Sequence, residues 1–370
     1  MQVPFDFAVR LKQARLAVAN AGITALLVSP GTDLGYLTGY RAPSLERLTC
    51  LVAPAKGPAQ IVVPMLEEPA AAASPLAFSG IEIFTWRETE DPYALVASLL
   101  PKRGVVAVDD HMWASKTFAL RDAMPGVTQR AAGRLLGGLR MRKTTQELNA
   151  LRAAGAAIDA VHARMGEWLR VGRTERAVGE DVREAILQEG HASADFVIVA
   201  SGPNAASPHH EVSDRVIEPG DPVVVDISGT MPSGYCSDST RTYVVGQPSP
   251  AFLASYAVLK AAQEAACAAV RPGASAASID AAAREIISDA GYGDCFLHRT
   301  GHGIGLEVHE EPYVAADNQE PLEQGMVFSI EPGIYIAGQS GARIEDIVVC
   351  TQSGVERLNL LPRDLVILDT

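Results

Sequence analysis

The sequence predicts two domains, an α/β unit over residues 1–133 and an α+β unit over residues 134–370. Three observations carry this prediction. At 370 residues the chain is too long for one ordinary core. Its first third alternates short apolar runs with helix-like segments, as expected of a mostly covered sheet. In the remainder, strands predominate between pairs of helices, and acidic residues are set inside the most apolar of those strands.

Phe7 to Ala21 has apolar residues at helical spacing (Val9, Ala14, Leu16, Val18), and Gly22 stands where a C-terminal glycine belongs. Strands are expected at 23–29, 48–53, 60–63, 81–86 and 104–109, with helices around 66–73, 92–100 and 115–123. A break is expected across 124–134, at Met124-Pro125-Gly126. Thr144 and Glu147 have the spacing of a capping box and open a long helix running to about Leu169. A second helix follows Thr174 and ends near Gly190. Strands are then expected at 195–201, 222–228, 240–246, 326–333 and 344–350, with alanine-rich helices at about 251–270 and 276–290.

The formal charge of −13 argues against nucleic acid and anionic membranes as partners. The five cysteines (Cys50, Cys236, Cys267, Cys295, Cys350) are odd in number, scattered and without a C-x-x-C pair. They read as reduced thiols of a cytoplasmic protein rather than a disulfide frame or a zinc–thiolate site. The opening residues MQVPFDFAVRLKQ carry charge where an export signal needs an apolar run. No apolar stretch approaches the length of a spanning helix.

The chemistry lies in Asp226, Asp238, His302, Glu331 and Glu345. Asp226 is read as ending one strand and Asp238 as opening the next, so that a hairpin sets the two carboxylates side by side. His302 sits in T-G-H-G-I-G-L-E-V-H-E, where glycines permit close backbone approach. Glu331 precedes Pro-Gly at a strand end, and Glu345 lies within RIEDIVV. An ionised carboxylate in an apolar interior costs several kcal/mol unless it is paired or holds a metal. Two divalent cations balance four carboxylates, and a bridging hydroxide leaves a net charge near −1 beside Arg343. Oxygen-rich ligation with one imidazole favours manganese, with cobalt, zinc and iron as alternatives.

Each of these residues also has an ordinary reading. A lone Asp before a turn is usually a cap, a His in a glycine loop is usually structural, and either Glu is commonly half of an ion pair. It is their joint occurrence in apolar strands that points to a metal site. The segment G-H-G-I-G imitates part of a dinucleotide loop, but its flanking His and Glu argue against that assignment.

The segments PHHEVSD, VVVDISGT with the following GYCSDSTRT, RTGHGIGLEVHEEP, GMVFSIEPGIYI and GARIEDIVV resemble the signatures of the Xaa-Pro metallopeptidases. This is the pita-bread family of prolidases and aminopeptidases P. The resemblance spans about residues 135–370, and the α/β N-terminal third is similar to the extra domain those enzymes carry. It implies a pita-bread catalytic domain with a dinuclear metal site on Asp226, Asp238, His302, Glu331 and Glu345. It further implies that His209, rather than His210, contacts substrate and steadies the tetrahedral intermediate. A second active-site histidine falls on His309, and supporting roles fall on Tyr335 and Arg343. Glu331 is in addition the candidate for relaying a proton to the leaving proline nitrogen.

The implied activity is hydrolysis of the bond before proline in a small peptide with proline second, by a homodimer. Overall length and the ligand set favour a dipeptidase. Aminopeptidase P, acting on longer peptides, is the alternative. A metal-free pita-bread module that binds protein partners, or a metal-free amidinohydrolase relative, should lack several of the five ligands. Methionine aminopeptidases resemble the catalytic half alone.

Two departures from the family pattern stand out. Asp226 and Asp238 are twelve positions apart where eleven is usual, and Ser228 stands where glycine is usual. Tyr313 occupies the place where some prolidases put an arginine for the dipeptide carboxylate, and no arginine occurs between His309 and Glu331. Arg47, with Arg41 nearby, is the expected substitute, because bidentate arginine–carboxylate pairing suits the task.

Overall fold

The structure, a computed structural model, describes residues 5–369. The reading of the N-terminus as free of an export signal falls partly on residues 1–4, outside the described residues. The chain divides into two compact units, Met1–Arg140 and Met141–Thr370. The expected boundary at 133/134 lies at the start of the helix Gly133–Met141, near whose end the units part.

The first unit is a six-stranded mixed sheet in the order Glu82–Trp86, Gln60–Pro64, Cys50–Pro54, Ala25–Val28, Gly104–Val108, Val127–Ala131. Its core gathers Leu27, Val52, Val62, Trp86, Val96, Val106 and Leu120. The first helix spans Phe7–Asn20, with Asp6 accepting from the Val9 amide at its start. It buries Arg10, Leu11, Ala14 and Val18, an i, i+1, i+4, i+8 stripe, while Val9 and Leu16 face solvent.

The strand Val127–Ala131 replaces part of the expected break. It pairs parallel with Gly104–Val108 at the sheet edge and is largely exposed, so its residues carry no apolar run. The helix Thr32–Thr38 was likewise not expected.

In the second unit the capping box forms. The Thr144 amide donates to Glu147 Oε2 at 2.7 Å and the Glu147 amide donates to Thr144 Oγ1 at 3.4 Å. The helix Thr145–Ala163 stops short of the expected Leu169, and a 3₁₀ turn containing Gly166, a poor helix former, takes over at Met165–Glu167. This helix and Glu175–Gln188 pack on a four-stranded sheet ordered Val366–Leu368, Cys236–Val245, Pro222–Thr230, Ser193–Ser201. A second helix pair, Pro250–Ala269 and Ala276–Asp289, shares a core with a five-stranded sheet. That sheet runs Glu310–Val314, Gly301–Gly303, Val327–Ile330, Asp346–Thr351, Gly354–Arg357.

The expected strand 326–333 is two strands, Val327–Ile330 and Gly333–Ile336, the second in a hairpin with Ser340–Arg343. Pro332, which has no amide hydrogen to donate, stands between them. A single bridge, Thr240 to Glu345, ties the two sheets together.

Candidate metal centre

Asp226 lies in the middle of Pro222–Thr230, and Asp238 is the third residue of Cys236–Val245. The strand does not end at Asp226 as expected, because apolar and small residues continue it to Thr230 before the turn. The register pairs Asp226 with Thr240 and Ser228 with Asp238, so the two aspartates are diagonal neighbours on one face of the hairpin. Every residue of Cys236–Val245 is buried, Asp238 among them.

Glu345 is brought to that face by the bridge between the sheets, its Oε2 accepting from Thr240 Oγ1 at 2.8 Å. His302 arrives on Gly301–Gly303. A Cβ at Gly301 would lie 1.9 Å from the Ser329 carbonyl oxygen, and one at Gly303 2.2 Å from that of Glu311. Only glycine lets the neighbouring strands close on the imidazole from both sides.

His302 Nδ1 sits 3.1 Å from the Gly303 carbonyl, which only accepts, so Nδ1 carries the proton and Nε2 presents a lone pair. That Nε2 lies 3.1 Å from Glu331 Oε1 and 3.7 Å from Asp238 Oδ2. Ser329 Oγ donates to Glu331 Oε1 at 3.0 Å, and the Glu331 amide donates to the Thr300 carbonyl at 2.8 Å.

Three carboxylate oxygens in this cluster are buried without any hydrogen-bond donor: Asp226 Oδ1, Asp238 Oδ1 and Glu345 Oε1. Asp238, His302 and Glu345 each offer a ligand atom within 4.8 Å of the others'. Burial, then the charges of Glu345, Asp226 and Glu331, push the Asp238 carboxyl well above the usual carboxylate range. Burial, then Glu331 and Asp226, push Glu345 up likewise. For Glu331 burial works upward and His302 downward, the latter only with both ring nitrogens protonated; with Nε2 bare, that role falls to a bound cation. Orphaned buried oxygens converging beside a bare imidazole nitrogen fit a divalent cation.

An acidic cluster in the first unit, Asp33, Asp109 and His111, differs in kind. There Arg140 holds Asp33 at 3.0 Å, and the amide and hydroxyl of Ser29 both donate to Asp109 at 2.6 Å.

A chain of hydrogen bonds runs away from the carboxylates. Arg343 Nη2 donates to Asp226 Oδ2 at 2.5 Å and Nη1 to the Tyr335 hydroxyl at 2.6 Å. His298 Nδ1 faces the Arg299 carbonyl at 2.7 Å, so its Nε2 accepts from the Tyr335 hydroxyl at 2.8 Å. Burial pushes the Tyr335 phenol up to about 12 although Arg343 opposes it, and burial also lowers His298. The cluster opens into a cavity of about 980 Å³ lined by His209, His210, His309, Arg299 and Phe196 among others. The His309 ring packs edge-on against His302 at 4.2 Å between centroids. Burial, then the neighbouring His302, lower His309 to about 4.

Residues 149–352 match the model of metallopeptidase family M24, and residues 10–142 match the creatinase/prolidase N-terminal domain. The chain belongs to metallopeptidase family M24. It is 51% identical over 362 residues to the probable dipeptidase PepE of Mycobacterium tuberculosis, covering 98% of this chain and 96% of that one. It is 38% identical to the Xaa-Pro dipeptidase of Lactobacillus delbrueckii subsp. lactis, covering 94% of this chain and 95% of the relative. The crystal structure of dipeptidase PepE from Mycobacterium ulcerans superposes over 100% of both chains with a TM-score of 0.96 at 50% identity.

As an M24 metallopeptidase the protein has the expected architecture, a creatinase-like N-terminal domain and a pita-bread catalytic domain. Asp226, Asp238, His302, Glu331 and Glu345 all line the cavity, together with His209, His309 and Arg343. Tyr335 stands behind Arg343 rather than in the lining. His210 is held by Glu175, with Nε2 to Oε2 at 2.8 Å. Arg47 is engaged within the first unit, donating to Glu88 at 2.6 Å and to Glu46 at 2.7 Å.

Four polar residues of the site were not singled out by sequence. Thr240 and His298 bond to site residues, Glu175 anchors the loop of His209, and Arg241 is a second buried cation in these strands. Arg241 is taken up by Asp346 at 2.7 Å and so is unavailable to the ligands. Among the described residues no helix is long and apolar enough to cross a membrane.

Proposed function

We propose that this metallopeptidase is a Xaa-Pro dipeptidase, with the metal held by Asp226, Asp238, His302, Glu331 and Glu345. The observation that carries the metal assignment is the gathering of Asp238, His302 and Glu345 within ligand reach of one another, with buried oxygens of Asp226, Asp238 and Glu345 left without donors. Substrate class is supported by the relatives, a probable dipeptidase and a Xaa-Pro dipeptidase that this chain covers almost end to end. The metal is read as two divalent cations, with manganese the best match to four carboxylates and one imidazole.

Bound there, the cations supply a water of lowered pKa and polarise the scissile carbonyl. The chain's own residues do the rest. Asp226 is oriented by Arg343, whose other nitrogen is braced by Tyr335. Glu331, hydrogen-bonded by Ser329, is placed to hold and pass a proton to the leaving proline nitrogen. His209, at the cavity wall, stabilises the oxyanion, and His309 bounds the pocket next to His302. Five unpaired thiols, four of them buried, accord with a reducing cytoplasm. The homodimer rests on the family resemblance.

The second reading, aminopeptidase P, is favoured by Tyr313 standing where a carboxylate-binding arginine is expected. A paired assay decides between them: Ala-Pro against Ala-Pro-Pro, each with manganese and with chelator. A dipeptidase cleaves Ala-Pro faster, only with metal. Preference for Ala-Pro-Pro selects the second reading, and turnover that survives chelation defeats both.

A further inference from the structure

The dipeptidase reading leaves one requirement open, a cation for the free carboxylate of a dipeptide. Four arginines line the cavity, and three of them are engaged. Arg343 is bound to Asp226 and Tyr335, Arg176 Nε donates to Asp214 at 2.7 Å, and Arg183 donates to the Ala194 carbonyl at 3.3 Å. Arg299 has no carboxylate at ion-pairing distance among the described residues. Its guanidinium carbon lies 4.3 Å from the centroid of the Tyr313 ring. A guanidinium held over an aromatic face uses that face for cation–π attraction, and its N–H donors, which lie in its own plane, point outward.

The backbone under Arg299 is fixed from several directions. His298 Nδ1 donates to the Arg299 carbonyl at 2.7 Å. The Thr300 amide and hydroxyl donate to Asp280 Oδ1 at 3.1 and 2.8 Å. Arg284 grips Asp280 with Nε and Nη2 at 2.8 and 2.9 Å, and Nη2 also donates to the His298 carbonyl at 2.8 Å. Three residues on from Arg299, the same segment delivers His302. Tyr313 is carried by Glu310–Val314, the strand paired with Gly301–Gly303. The cation that is missing from position 313 in sequence is therefore supplied beside Tyr313 from the loop that leads into the neighbouring strand.

We propose that Arg299, stacked on Tyr313, binds the C-terminal carboxylate of the dipeptide and confines the enzyme to substrates that end at the proline. Bidentate pairing with a planar carboxylate is the task to which a guanidinium is suited. Arg47, expected from sequence to fill this role, is already donating to two glutamates.

The test compares wild type, Arg299→Ala, Arg299→Lys and Arg47→Ala on Ala-Pro, Ala-Pro-amide and Asp-Pro, with kcat and KM resolved and folding checked by melting temperature. Wild type is expected to prefer Ala-Pro to its amide. In R299A that preference should fall by about 10- to 100-fold, chiefly through KM, the worth of a hydrogen bond to a charged group. R299K should regain part of the preference and R47A should keep it. The proposal is overturned if R299A retains the wild-type ratio, if R47A abolishes it, or if the loss is confined to Asp-Pro, which would make Arg299 a reader of acidic Xaa side chains. Wild type that cleaves neither Ala-Pro nor its amide removes the dipeptidase reading and this inference together. Cleavage of Ala-Pro with an unchanged ratio in R299A removes only the inference.

Discussion

Arg343 and Asp226 form the tightest charge contact at the candidate centre, Nη2 to Oδ2 at 2.5 Å with both side chains buried. The pair orients one carboxylate oxygen and leaves the other, Oδ1, buried without a donor. Among the described residues Arg343 is the side chain that donates to the buried Asp226 carboxylate, and breaking one side of such a pair, as in Arg343→Ala, costs about 3–5 kcal/mol. Thermal melts of the metal-free variant should show that loss, and isothermal titration should show weaker manganese binding. An unchanged melting temperature and affinity would mean that the contact is dispensable.

Asp238 allows a prediction whose sign depends on the metal. Without cations its charge is buried among Glu345, Asp226 and Glu331, so Asp238→Asn should stabilise the chelated protein. With manganese the order reverses, because the variant has lost a ligand. Melting curves of both proteins, with chelator and with metal, check this. A variant less stable than wild type in both states would argue against crowded charge at Asp238.

Glu175 holds the loop that carries His209. Fully buried, it accepts from the amide and hydroxyl of Ser201 (both 2.7 Å), from Ser213 Oγ (2.6 Å), from Asn204 and from His210 (2.8 Å). Burial works to raise its pKa, yet these hydrogen bonds together hold it below the ordinary value. Glu175→Gln cannot satisfy that many donors. It should lower kcat by about 10-fold, on the scale of one hydrogen bond to a charged group, with metal content unchanged by elemental analysis. Loss of metal in parallel with activity would place Glu175 in support of the ligands instead.

His162 should give the protein a measurable acid sensitivity. Its Nε2 lies 3.1 Å from the Ser239 carbonyl and its Nδ1 3.0 Å from the Tyr243 hydroxyl, and burial lowers it to about 3. A depressed folded pKa means that the unfolded chain takes up the proton first. The contribution is fully present above about pH 6.5, the unfolded value, and is lost progressively as pH falls toward about 3. Melting temperature should therefore decline from pH 7 to pH 4 more steeply in wild type than in His162→Asn. Parallel pH profiles would contradict this.

That Asp226, Asp238, His302, Glu331 and Glu345 share one cavity was foreshadowed in sequence, because a charge inside an apolar strand needs a partner. Their supports were less legible. His298 acts on Tyr335, 37 residues away, and Glu175 on a loop 26–38 residues downstream, through contacts that only the fold creates. Arg299 looks like any loop arginine until sheet pairing sets it against Tyr313. At the level of elements, long periodic segments such as Pro250–Ala269 were readable. Val127–Ala131 and Val366–Leu368 were not, because an exposed strand at a sheet edge need not alternate and three residues carry too little pattern.

The carbonyls facing Nδ1 of His298 and of His302 each belong to the next residue along the chain, Arg299 and Gly303. The proton inventory of both rings is thus written by covalent neighbours. Mutational drift in the cavity walls can alter shape and charge, yet each neutral ring keeps its Nδ1–H turned to its own backbone and its Nε2 as the acceptor. Acid–base identity at this site is inherited through the polypeptide thread itself.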